Sequence, residues 1–79
     1  SMSDIKFGVA FVPNNFNYDL LDDDTLSFRD LKVVLLAGPF DSLKEASESM
    51  TSFYESHHKF GHEKMVINYN PSTMKSIEF

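Results

Sequence analysis

The stretch LKVVLLAGPFDSLKEA, residues 31–46, constrains the fold more than any other part of the chain. An apolar run reaches Gly38-Pro39-Phe40 and passes within two residues to a helix-start signal. Leu31–Leu36 is apolar on both faces apart from Lys32, as expected of a strand in the middle of a sheet. Gly38-Pro39 is expected to end that strand. Ser42 and Glu45 then form an S-x-x-E capping box, with Asp41 as an alternative cap. Beyond them Leu43, Ala46, Met50, Phe53, Tyr54 and His57 recur at three- and four-residue steps and make one stripe. The spacing predicts a main helix over about 42–60, stopped by Gly61 as its C′ residue. Met65, Ile67 and Tyr69 alternate as a third strand, broken by Asn70-Pro71. If the strands flanking the helix share a sheet, the crossover between them is right-handed and they run parallel.

Ahead of this unit, Ile5, Phe7, Val9 and Phe11 alternate with Lys6, Gly8 and Ala10. That period of two marks a first strand with one buried face, ended by Pro13-Asn14-Asn15. Residues 14–30 hold Phe16, Tyr18, Leu20, Leu21, Leu26 and Phe28 among five aspartates. A structureless connection of that length is uncommon, so a turn of helix or a short strand is expected inside it. The predicted class is α+β: one domain over residues 1–79, with a small three- to four-stranded sheet and one main helix packed on one face. Met74, Ile77 and Phe79 would let the tail add an edge strand or pack on the sheet. One helix covers one face only. The other face needs the 14–30 segment, the tail or a second copy, and a homodimer is expected on that ground.

Length adds weight to this expectation. A chain of 79 residues buries only about 60–65% of its unfolded surface, and small scaffolds usually lean on disulfides, a metal or oligomerisation. With no cysteine, disulfides and thiolate zinc sites are excluded, which fits a reducing compartment and an expected cytoplasmic location. Ser1 ahead of Met2 reads as a tag remnant, and the Asp4 and Lys6 region lacks the pattern of a signal peptide. Val33–Ala37, the longest uninterrupted apolar run, is far too short to span a membrane.

Chemistry has little to work with. His58 and His62 are four apart, a spacing that puts two imidazoles on one helical face, with Glu55 or Glu63 as a third ligand. A fourth ligand is missing, and Gly61 falls between the two histidines, so no metal or other cofactor is expected. His57 lies on the apolar stripe, where a core-edge role is the ordinary one. No serine stands in a strand-to-helix elbow, and Gly38-Pro39-Phe40 lacks the glycines and lysine of a phosphate loop. Asp22-Asp23-Asp24 lacks the alternating ligands and central glycine of a calcium loop. A non-enzymatic role is therefore expected.

Charge is the more informative property. The net charge of −5 disfavours direct binding to nucleic acid or an anionic membrane and favours a basic partner. On a helical wheel Asp41, Glu45, Glu48, Ser52 and Glu55 fall within roughly 80° of one another, opposite the apolar stripe. Lys59 shares that face and Lys44 lies at its margin. Polar outer faces are normal on surface helices. However, Asp19, Asp22, Asp23, Asp24 and Asp30 could extend the row, and regularly spaced carboxylates can imitate a phosphate backbone.

Two resemblances accompany these readings. Residues 31–69 resemble the second half of a SPOR domain, the small peptidoglycan-binding module. The matching parts are the 31–36 strand, Gly38-Pro39-Phe40, the helix with Glu45-Ala46, Gly61 and the 65–69 strand. That resemblance implies carbohydrate binding. In overall character the chain is similar to small acidic phage-type host-takeover proteins, some of which are DNA mimics. The second resemblance implies a viral inhibitor that occupies the basic surface of a DNA-binding or nucleoid-associated protein. The nine acids named above are the expected contact residues, with glycan binding as the alternative.

Overall fold

Small residues decide where the first strand sits. β1, Lys6–Pro13, occupies the middle of a three-stranded sheet and pairs antiparallel with both β2, Val34–Phe40, and β3, His62–Tyr69. The computed structural model describes residues 4–23, 25–53, 58–72 and 74. Within it Val9, Ala10, Phe11 and Val12 are all buried, so β1 is covered on both faces rather than on one. Of Gly8 and Ala10, which read as the weak positions of an alternating strand, Gly8 is a seat for larger neighbours and Ala10 is buried in the core. A Cβ on Gly8 would stand 2.8 Å from both Leu35 Cδ1 and Tyr69 Cε1. The strand expected to bury one face buries both, and the one expected to be central is at an edge.

The second strand is also displaced, from the expected Leu31–Leu36 to Val34–Phe40. Leu31 instead ends a short helix, α1, Phe28–Leu31. Lys32 takes the left-handed conformation (φ 59°) that closes it. Two Schellman-type bonds result: Val33 N–H donates to Phe28 O at 3.0 Å, and Lys32 N–H donates to Arg29 O at 3.1 Å. Glycine normally announces such a stop, and here a lysine fills the position. Gly38-Pro39 does not end β2 either. The strand runs through this pair, joined by a cis peptide bond, to Phe40 opposite Phe7.

The main helix, α2, spans Leu43–Ser52, shorter than the expected 42–60. Ser42 is its cap, accepting from Glu45 N–H at 3.1 Å. Near the other end Thr51 and Ser52 turn their hydroxyls back onto the carbonyls of Ser47 and Ser49, competing with the helical pattern. The Lys64 ammonium, reaching from β3, donates to Phe53 O, where the helix dipole favours a cation. Gly61 has a positive φ of 75°, but it serves the turn into β3 and not a helix terminus. Ala46 is fully buried and Met50 and Phe53 are half-buried, whereas Leu43 is 56% exposed and leaves the expected stripe. Tyr54, Glu55 and His57 lie outside the described residues.

α2 contacts all three strands on the face carrying Val9 and Phe11. On the opposite face Ala10, Val12, Val33, Ile67 and Tyr69 form one cluster with Phe28, Leu31 and Met74, bordered by Phe16, Leu21 and Leu26. The 14–30 segment reaches this cluster through a 3-10 turn, Tyr18–Asp22, and α1. Of the three covers expected for this face, the 14–30 segment is the one seen, helped by Met74 of the tail. The α+β class with one main helix is the fold observed. β2 and β3 run parallel as expected, but with β1 between them. Of the tail, Met74 is buried on the sheet, and Ile77 and Phe79 lie outside the described residues.

Candidate interaction surface

Seven of the nine nominated acids fall within the described residues, and all seven are exposed: Asp19, Asp22, Asp23, Asp30, Asp41, Glu45 and Glu48. Asp24 and Glu55 lie outside. The acids do not form one row. Asp19, Asp22, Asp23 and Asp30 belong to the segment on one face of the sheet, while Glu45 and Glu48 project from the helix on the other. The sheet separates two acidic patches.

Several of these carboxylates have structural work. Asp23 Oδ1 accepts from Thr25 N–H at 2.9 Å and from the Thr25 hydroxyl at 2.6 Å, which closes the turn after the 3-10 segment. Asp30 Oδ2 accepts from Ser27 N–H at 2.9 Å, while Ser27 Oγ accepts from Asp30 N–H at 3.1 Å. That is a full capping box at α1, readable in the sequence as S-x-x-D but passed over there as free charge. Asp41 is an ion-pair partner of Lys6, 2.8 Å away, and not the helix cap. Asp19 stands in the first turn of the 3-10 segment, where Asn17 caps its N–H. Glu45 Oε1 accepts from the Ser42 hydroxyl at 3.3 Å. Among the described residues Glu48 has no ion-pair partner within 4 Å.

Local bonds also set the acidity of three carboxyls. Donation from the Thr25 hydroxyl holds Asp23 below its ordinary value, and donation from Ser27 N–H does the same for Asp30. Asp41 is lowered by its bond from Lys6 and then by the lysine's charge. A carboxyl whose folded value is depressed contributes stability above its unfolded value of about 3.9, and that contribution is lost as pH falls through the folded value. Thermal unfolding is therefore expected to shift to lower temperature on acidification below about pH 4. Asp30→Asn should reduce the part of that shift traceable to α1, measured by melting curves from pH 6 to pH 2.5.

Of the two described histidines, His62 has structural contacts. His62 lies on β3, its Nδ1 3.0 Å from Phe60 O and its Nε2 3.0 Å from Lys32 O. β3 pairs His62 with Pro13, which has no N–H to give the next strand. The imidazole reaches past the proline to the carbonyl of Lys32, the residue that closes α1 just ahead of β2. Both ring nitrogens face carbonyl oxygens, and a neutral imidazole donates to one of the two. His58 is exposed and outside any helix, so the four-residue spacing carries no common face. Among the described residues no three histidine, cysteine, aspartate or glutamate side chains could hold one metal ion.

A shallow groove of about 230 Å³ opens between the 3-10 turn and β3, lined by Tyr18, Leu21, Asp22, Val66, Ile67 and Asn68. Its rim is acidic, and partial burial followed by the Glu63 charge opposes ionisation of the Tyr18 hydroxyl. Sequence reading missed this groove because its two walls lie more than forty residues apart. Compared with protein-family models, curated proteins and solved structures, the chain matches none. Among the described residues no helix is long and apolar enough to cross a membrane.

Proposed function

We propose that this protein is a non-enzymatic binding protein whose acidic surface occupies the basic surface of a nucleic-acid-binding protein and blocks that surface. One observation carries the reading: all seven described acids of the nominated set stay exposed, and of those seven Asp41 alone has an ion-pair partner. Charge left unpaired on a rigid frame is available to a partner. α2 fixes Glu45 and Glu48 about 4.5 Å apart along its axis, while turn and cap bonds hold Asp23 and Asp30. Lysine and arginine side chains complement such a surface. The phosphate backbone repels it.

The test has two stages. A partner is captured from bacterial lysate at low salt and released at high salt, since exposed charges are screened beyond about 10 Å at 0.1 M. The purified partner's DNA complex is then titrated with this protein. Displacement of DNA is expected, and Glu45→Lys with Glu48→Lys should slow association roughly tenfold, with only a small drop in melting temperature from the lost Ser42–Glu45 contact. If the protein binds purified glycan strands, keeps that binding after the charge reversal and displaces no DNA, the carbohydrate-binding reading replaces this one.

A further inference from the structure

We propose that the outer edge of β3, with the groove beside it, receives an extended lysine- or arginine-bearing segment of a partner protein as a fourth strand. The two sheet edges are unlike. β2 carries Pro39, which has no N–H, and its pairing with β1 has two register shifts. Such features blunt an edge against further pairing. β3 instead pairs with β1 through eight consecutive residues without a bulge and contains neither glycine nor proline. Apart from the ladder to β1, no backbone bond among the described residues reaches the N–H and C=O groups of residues 63–69. An extended segment laid there gains main-chain hydrogen bonds, and alternate side chains fall toward the groove.

Charge selects the occupant. Residues 18–23 and 62–69 carry Asp19, Asp22, Asp23 and Glu63 against one lysine, Lys64. The Lys64 ammonium is engaged by Phe53 O. Asp22 sits in the groove wall beside Tyr18 and Leu21, so an apolar side chain would enter between the Tyr18 ring and Ile67 while a neighbouring cation meets the acids. A second copy of β3 would bring its own Glu63 and a second set of aspartates to the same edge. Like charge disfavours that pairing. The inference rests on the basic partner proposed above and places its contact on the β3 side.

The test uses the isotope-labelled full chain and an eight-residue peptide alternating lysine with valine. Two versions of the peptide are N-methylated on every other amide, one in each register. Amide shifts are expected at residues 63–68 and 18–22, and one methylated register should bind at least tenfold more weakly. Asp22→Asn should weaken the parent peptide several-fold. Equal binding of all three peptides, or no binding, would overturn the proposal. Shifts confined to Glu45 and Glu48 would remove this site while leaving the acidic-surface reading intact. Outward amides of β3 already protected from exchange in the free protein would mean that the chain or a second copy fills the edge, which also overturns it.

Discussion

Ala46→Asp is expected to abolish folding. Ala46 is fully buried beneath α2, and among the described residues the core contains no buried polar or charged side chain that could receive a carboxylate. Burying an unpaired charge costs far more than burying a methyl group gains, even when the group escapes by taking up a proton. A domain of 79 residues has only about 4–12 kcal/mol in total to lose. Circular dichroism should show loss of the cooperative transition. Leu43→Asp, three residues earlier on a side chain 56% exposed, should melt as the parent does. If Leu43→Asp unfolds the domain and Ala46→Asp does not, the buried face of the helix is misassigned.

Phe28→Ala should remove a large part of the stability without changing the fold. Its ring is fully buried against Tyr69, with centroids 5.4 Å apart, in the cluster on the sheet face away from α2. Deleting a buried phenylalanine ring costs about 3–5 kcal/mol, through lost transfer energy and the cavity left behind. The denaturation midpoint should fall by a large fraction of its value. A loss under about 1 kcal/mol would mean that the 14–30 segment is a loosely held cover and not part of the core.

The fold was legible where chemistry is local. Ser42 with Glu45 marked the start of α2, and the alternation of Met65, Ile67 and Tyr69 marked β3. Error entered where tertiary contacts override local pattern. Gly8 reads as the open side of a strand because no sequence pattern says that Leu35 and Tyr69 will lean over it. Lys32 hid the end of α1 by taking a conformation that usually belongs to glycine. The expected row of acids broke in two because a helical wheel orders residues within one element and cannot say which sheet face another element will cover. Exposure of the seven described acids followed from their chemistry, and their separation followed from topology.

The placement of β1 has a kinetic consequence. The strand made first pairs with the strand made last, Lys6 opposite Tyr69, so the sheet's longest ladder closes a loop through most of the chain. Loop-closure entropy is paid before those contacts reward it, and mixed α/β domains of high contact order fold more slowly than helical bundles. During synthesis β1 can find β2 early, but it waits for residues 62–69 with half of its backbone groups facing water. Over that interval the nascent chain is a two-stranded ribbon carrying a fully apolar strand, Gly8–Val12, whose missing neighbour has yet to leave the ribosome.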